Sequence, residues 1–481
     1  MPVTSSCNRL LQSRRDLYQL LAACQEDSVT EDSVTKDGPR IFSVSLDIGP
    51  VDPLAVLHQL AQPNELNFYF EKRNRESSSI PGRSIAAIGS VDQLQVQGRH
   101  RFAAANEFVQ ATSARTRSVG DDPLGGPYWF CSFTFSNDAA NQDNPFPAAT
   151  VFLPRWQVIR QDDRAVLTVN LVLHSNRPLA HVVDETWETI QAIKAIRYEF
   201  PGPVFQAHGW TTRRDVTDTQ HFKQAVRSIR TAIQRQDFHK LVLAHAIDVR
   251  SPLPFQTTAT LHNLRTLYPD CYTVATSSGT GHTFVSASPE RLVSLRDRQL
   301  YTDALAGSAP RGKTTDDDAA VAEQLLHSAK DLHEHQLVVD FISGCLQQLG
   351  LTPERSPLRL LRLPNIQHLH TPLRAVVPPQ VSLLDIVAAL HPTPAVAGVP
   401  RDLTCQQIRR YEQFERSLYA GAIGWLDHQG NGEFIVGIRS ALIDGCCARL
   451  FAGAGIVAGS DPEQELAEVQ LKLQALLQAI V

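Results

Sequence analysis

The chain has 481 residues, 43% hydrophobic and 20% charged, with a formal net charge of -5 and a pI near 6.4. Its length suits several domains or one unusually large one, and its composition is that of an ordinary soluble globular protein. The mild acidity and the lack of a basic stripe interleaved with aromatics exclude a nucleic-acid surface, and no run of about 18 apolar residues offers a transmembrane helix.

The first 24 residues are basic and serine-containing. They read either as an amphipathic surface helix or as an organelle transit segment, and a cytosol-like compartment is the expected location, with organelle targeting left open. Eight cysteines (7, 24, 131, 271, 345, 405, 446, 447) show neither CxxC nor regular spacing, which implies reduced thiols rather than a zinc ribbon or a disulfide framework. Residues 1–45, with the duplicated EDSVT, are expected to be a polar, mobile segment. A short helix follows over Pro53 to Leu60. NFYFEKR and RSIAAIGSVDQLQV alternate as strands across the serine run at 77–79, and RHRFAAANEFVQATSAR reads as a helix. GGPYWFCSFTF, AATVFLPRWQVIR and ALTVNLVLH read as strands, and WETIQAIKAIRYE as a helix. The Pro-, Gly-, Thr- and Arg-rich stretch 197–218 is the expected internal boundary, dividing the chain into 46–205 and 206–481.

The second part opens with a helix from Thr219 to Arg235 and the strand HKLVLAHAIDVR. CYTVATS, HTFVSAS, SPERLVSL and QLYTDALAGS continue as strands. The stretch from Thr315 to Gly350 is helical with a break near Lys330, and SLLDIVAAL and TCQQIRRYEQFERSL are helices around a Pro-rich loop. IVGIRSALI reads as one strand, ARLFAGAGIVAGS as a strand entering a glycine turn, and DPEQELAEVQLKLQALLQAI as a helix capped by Asp461 with Pro462 at its first position. Strands grouped in hairpins with helices inserted argue for α+β with large antiparallel sheets, not a doubly wound parallel sheet.

Several residues have chemistry to offer. Lys240 opens a strand beside apolar neighbours and can serve as a base, or be a solvent-facing edge lysine. Glu290, after Pro289, can be held protonated by burial, or pair with Arg291. On one helix Asp331, Glu334 and His335 fall at i, i+3 and i+4, a set that suits a hard cation. A zinc site from His327, His333 and His335 fails, because 333 and 335 point apart on a helix. Glu465, Glu468 and Lys472 share a face of the last helix, as metal and anion ligands or as a solvated face with an internal ion pair. Gly453 and Gly455 permit close backbone approach, Gly307 and Ser308 form a turn able to face an anion, and His391 is fixed between prolines in LHPTPA.

HKLVLAH, SASPERLV, ALAGSAPRG, SAKDLHEHQLV, LHPTPAVAG, RSLYAGAIGW, GEFIVGIRSA, LFAGAGIV and ELAEVQLKL, in that order from about residue 205 onward, resemble the chorismate-utilising enzymes. The resemblance is strongest to the isochorismate synthases of menaquinone or siderophore synthesis, and FYFEKR, GGPYWF and FLPRW extend it into the first 200 residues. It implies two large antiparallel β-sheets packed face to face and flanked by helices. It also implies Mg²⁺-dependent conversion of chorismate to isochorismate, with water added at ring carbon 2 and the hydroxyl lost from carbon 4. By position, Lys240 would be the base and Glu290 the acid. Glu334 and Glu468 would hold Mg²⁺, with Asp331 and Glu465 ordering its waters. Arg439, the Gly453 amide and Lys472 would receive the enolpyruvyl carboxylate; Gly307 and Ser308 would line the ring site, and His391 would orient the ring or a hydroxyl. The family also implies a monomer or weak dimer.

Lys240 and Ala306 separate this chain from the ammonia-using sisters. These carry glutamine-like groups at the first position, and the aminodeoxychorismate enzymes a nucleophilic lysine at the second. A salicylate synthase, which goes on to eliminate pyruvate, and a non-catalytic chorismate-binding paralogue are the alternatives. All four of Lys240, Glu290, Glu334 and Glu468 are retained, which argues against the paralogue.

Overall fold

The structure is a computed structural model and describes residues 13–30, 39–73, 82–120, 122–137, 144–173, 177–196, 211–363 and 366–480. The helices are α1 (Arg14–Thr30), α2 (Pro53–Leu60), α3 (Arg101–Ala114), α4 (Leu179–Ala195), α5 (Thr219–Gln234), α6 (Thr257–Leu267), α7 (Thr315–His327), α8 (Ala329–Gln348), α9 (Leu383–Leu390), α10 (Arg401–Tyr411) and α11 (Pro462–Ile480). The strands of the first half are β1 (Ile41–Asp47), β2 (Asn67–Lys72), β3 (Arg83–Val96), β4 (Thr116–Val119), β5 (Tyr128–Phe133), β6 (Ala149–Gln161) and β7 (Arg164–Val172). Those of the second are β8 (Thr212–Asp215), β9 (Lys240–Arg250), β10 (Tyr272–Ser277), β11 (His282–Ser288), β12 (Arg291–Arg296), β13 (Gln299–Pro310), β14 (Glu354–Arg355), β15 (Arg359–Arg362), β16 (Ile366–Val376), β17 (Gly398–Val399), β18 (Ala422–Asp427), β19 (Gly432–Val436), β20 (Ser440–Asp444) and β21 (Cys447–Ile456).

All these strands belong to one hydrogen-bonded network, and the expected α+β class holds. β3 and β6 pair over most of their length, and two arms leave that pair. One runs β3-β2-β10-β11-β20-β21-β9, the other β6-β5-β18-β19-β12-β13-β16. They face one another with helices outside. Tyr272 on β10 donates its hydroxyl to Glu433 on β19 at 2.8 Å, and the Phe70 ring on β2 meets Trp425 on β18 edge-on at 6.4 Å. Strands buried on both faces can read as near-continuous apolar runs, as β5 (YWFCSF) does, whereas β10 (YTVATS) is buried throughout although half its residues are Thr or Ser. Helices read by their single buried stripe: α5 buries Phe222, Ala225, Val226, Ile229 and Ile233 and is capped by Asp218.

The expected division near residue 206 does not separate two folding units, because β2 pairs with β10 and β5 with β18 across it. Residues 197–210 of that boundary, the serine run at 77–79 and residues 1–12 and 31–38 of the amino-terminal segment lie outside the described residues. The remainder of 1–45 is not simply a mobile tail: α1 runs from Arg14 to Thr30, and β1 begins at Ile41 inside the core. Two further expectations are corrected, and one strand is added to them. IVGIRSALI is two strands, broken at residues 437–439, where Arg439 takes a positive φ of 49°. The helix placed over TCQQIRRYEQFERSL is α10, which begins at Arg401 and stops at Tyr411. IQHLHTPLRAV, left unassigned, is β16, a full partner of β13. Among the described residues no helix is long and apolar enough to cross a membrane.

Candidate active site

A cavity of about 320 Å³ opens between the ends of the two arms and the helices α8 and α11. Every residue lining it comes from the stretch Val242 to Lys472. The β11–β12 connection supplies Pro289 and Glu290, and β13 supplies Leu305 to Ser308. Helix α8 brings Lys330, Asp331 and Glu334, while α11 brings Glu465, Glu468 and Lys472. Asp461 starts α11 as expected, accepting from the amides of Glu463 and Gln464 at 3.0 and 3.1 Å.

Glu290 is almost fully buried. Burial pushes its carboxyl up to about 8, with Asp303 raising it further and Lys240 opposing. The backbone around it is fixed: Ser288 Oγ accepts its amide at 3.1 Å, and its carbonyl accepts the Val436 amide at 3.1 Å. Lys240 has no exposed surface, and its Nζ lies 2.7 Å from Glu334 Oε1. That contact is an ion pair out of line for a hydrogen bond, and Nζ has no hydrogen-bond partner. Gly455 makes the contact possible, since a Cβ there would stand 2.5 Å from Glu334 Oε1 and 3.0 Å from Lys240 Cε. The close approach expected at Gly453 and Gly455 is therefore, at Gly455, to this pair, and at Gly453 to the Tyr419 hydroxyl.

The other carboxylates also face lysines. Lys330 Nζ bonds Glu465 Oε1 at 3.1 Å, and Lys472 Nζ bonds Glu468 Oε1 at 2.7 Å. Burial raises the carboxyls of Glu465 and Asp331, and the Asp331 side chain is bonded by the Ser328 hydroxyl. Four acids on two helices around one cavity are hard oxygen donors of the kind Mg²⁺ takes one or two of, completing its shell with water. Among the described residues no three His, Cys, Asp or Glu side chains converge into a complete metal cage. His335 does not join this face: its ring is turned into the sheet, with Nε2 2.8 Å from Thr371 Oγ1.

Packed against Asp331 of α8, where a Cβ would stand 3.2 Å from the Asp331 Cβ, Gly307 sits at a bulge in the β13–β16 ladder with φ 77°, a conformation suited to glycine. Ser308 Oγ lies 2.9 Å from His368 Nδ1, and Arg439 Nη2 lies 3.1 Å from His368 Nε2. Arginine can only donate, so Nε2 accepts and Nδ1–H donates to the serine. Burial, with Arg439 and Lys472 nearby, holds this imidazole neutral. Gly453 lines the cavity with its carbonyl taken by Lys472 Nζ at 2.9 Å.

His391 does not reach the cavity, which corrects the expectation that it orients the ring. It ends α9, with Nε2 3.3 Å from the Thr134 carbonyl and its ring against Phe102 of α3. The histidine at the site is His368, from the unassigned strand β16, whose period-two alternation is the signal that could have found it. Tyr419 also lines the cavity, and Arg416 supports its wall. The Arg416 guanidinium donates to the carbonyls of Val242 and Val396 and pairs with buried Glu412, which accepts the Ala244 amide at 2.7 Å.

Residues 25–481 match the family model of the chorismate binding enzymes. The chain is 33% identical to the salicylate biosynthesis isochorismate synthase of Pseudomonas aeruginosa, over 92% of this chain and 91% of that protein. It is 32% identical to isochorismate synthase MenF of Bacillus subtilis, over 92% and 93% of the two chains. Among solved structures it resembles the menaquinone-specific isochorismate synthase MenF of Escherichia coli, with a TM-score of 0.76 and 28% identity, covering 96% of this chain and all of that one.

Proposed function

The chain belongs to the chorismate-binding enzyme family, and from that premise we propose that it is an isochorismate synthase whose product enters menaquinone or phylloquinone synthesis. The observation that carries the reading is a buried carboxyl, Glu290, in the wall of a cavity that also presents Arg439, Lys330, Lys472 and four acids, with the buried Lys240 set behind that wall against Glu334. Likeness over nearly the full length to two MenF proteins supports the quinone branch.

The substrate, chorismate, carries two carboxylates, and the cavity offers each a partner. Arg439, held in its strained turn and braced by His368, receives the enolpyruvyl carboxylate together with Lys472 and the Gly453 amide. Gly307 and Ser308 form the wall along the ring. Glu334 and Glu468, with Asp331 and Glu465 behind them, would hold Mg²⁺, which when bound neutralises the ring carboxylate and polarises the ring towards addition. In its neutral amine form, Lys240 takes a proton from the water that adds at carbon 2. Glu290 donates its proton to the hydroxyl leaving carbon 4, so one water enters and one departs. A carboxyl held at about 8 remains an acid at neutral pH, which this step requires.

The test is incubation with chorismate and separation of products, with and without Mg²⁺. Isochorismate formed only with the metal supports the reading. Salicylate and pyruvate as main products would move the chain to the salicylate synthases, and saturable binding without turnover would leave a binding paralogue.

A further inference from the structure

Glu290 is followed directly by an arginine, and an acid beside a guanidinium in a buried site ordinarily becomes its ion-pair partner and loses its proton. That does not happen here. The Arg291 Nη2 is drawn to Asp303 Oδ2 at 2.9 Å, and the other oxygen of Asp303 accepts from His370 Nε2 at 2.8 Å. The histidine is oriented in turn, because its Nδ1 accepts from Arg359 Nε at 3.3 Å. Asp303 and His370 lie on neighbouring strands, with Leu305 paired to His370 and Asp303 to Pro372, so the two side chains meet diagonally on one face of the β13–β16 ladder. Arg291 Nε has no hydrogen-bond partner, so the guanidinium retains an unused donor and a standing attraction to any carboxylate within reach.

We propose that Asp303 is a positioning residue for the acid step: by clamping Arg291, with His370 fixing its own second oxygen, it holds the guanidinium away from Glu290 and leaves that carboxyl without a counterion. The inference rests on the reading of Glu290 as the acid. It gives Asp303 two parts, one steric, in where Arg291 is held, and one electrostatic, as a fixed negative charge near Glu290. The charged and titratable groups that act on Glu290 are Lys240 from β9, Asp303 from β13 and Tyr419 from the turn before β18; its chain neighbour Arg291 is not among them and is turned to Asp303, Tyr272 and Glu433. Asp303 is the group that Arg291 meets at ion-pair distance, so its loss is what frees the guanidinium.

The experiment is the pH dependence of kcat/KM for the Mg²⁺-loaded enzyme on chorismate, with folding followed by circular dichroism. Glu290→Gln should remove the alkaline limb along with most activity; a limb that survives in this variant would defeat the acid assignment and this inference with it. In Asp303→Asn, Arg291 is released, and the alkaline limb should move down by about one to three pH units, as a cation brought beside a carboxylate does. The double variant Asp303→Asn with Arg291→Gln should move the limb back up from the single variant, stopping short of the wild-type position by the lost charge of Asp303, an outcome a merely structural role for Asp303 does not produce. Arg291→Gln alone should leave the limb at or above its wild-type pH, and this variant together with the double one decides the matter if Asp303→Asn does not fold. A limb unmoved in Asp303→Asn, a double variant no better than the single, or a lowered limb in Arg291→Gln each overturns the inference while leaving Glu290 as the acid.

Discussion

Replacing Glu290 with Gln should make the protein more stable at neutral and alkaline pH while abolishing turnover. Burial, with Asp303 adding to it and Lys240 opposing, holds this carboxyl at about 8 against an ordinary 4.5. The folded state therefore binds the proton more tightly than the unfolded one. The stability linked to this group is fully present below pH 4.5 and is lost as pH rises through about 8. At about 1.36 kcal/mol per pH unit the loss is ~1 kcal/mol at pH 5.5, ~3 at pH 7 and ~5 by pH 9. Glutamine has nearly the same shape and does not ionise, so the variant lacks this term, and all other titrating groups are common to both proteins. Urea unfolding of both proteins at the three pH values, with equal slopes, measures the difference directly. It should widen with pH, the variant becoming progressively the more stable. A difference of the same size at all three values would refute the account of a buried, protonated Glu290, and with it the assignment of the acid.

Lys240→Ala should reduce turnover by at least ~10²-fold while chorismate still binds in calorimetry; near-normal turnover would remove Lys240 from the base position. Glu334→Ala or Glu468→Ala should abolish both activity and the Mg²⁺ requirement, and Mg²⁺ affinity unchanged by either substitution would count against both as ligands. Gly455→Ala introduces a methyl 2.5 Å from Glu334 Oε1, so activity should fall with little change in melting temperature; full activity would mean that the Lys240–Glu334 contact is not needed. His391→Ala should leave the KM for chorismate unchanged, because the ring packs on Phe102 and the Thr134 carbonyl. Its cost should instead appear as ~1–3 kcal/mol of stability, from a lost buried hydrogen bond and the cavity left behind. A raised KM without destabilisation would restore His391 to the site.

What the chain shows locally was readable where one period dominates. The stripe on α5, the alternation in β9 and the Asp461–Pro462 start of α11 were all visible because burial on one face or both imposes a pattern on consecutive residues. IVGIRSALI misled because its hydrophobic alternation runs on through the break at Gly437 to Arg439. The departure there is in the backbone, tied to Ala287 and Ser286 by hydrogen bonds at 3.1 and 2.6 Å. His391 misled because a histidine between prolines has the look of a fixed ligand. Its loop does reach the cavity, but through Ala395 and Val396.

The sequence by itself determined the α+β class, most of the elements and the residue types of the site, since these follow from short-range pattern and from motifs whose order along the chain is preserved. It also supplied the carboxylates on α8 and α11, because helical spacing places Glu465, Glu468 and Lys472 on one face whatever surrounds them, and it named Glu290 as the candidate acid. Only the tertiary structure decided which charges meet. Lys240 and Glu334 are ninety-four positions apart and Arg439 and His368 seventy-one, yet each pair is in contact. Arg291 is adjacent to Glu290 in sequence but is taken by Asp303 from the next strand. Ion pairing depends on distance and desolvation in three dimensions, and neither quantity is written in the order of residues.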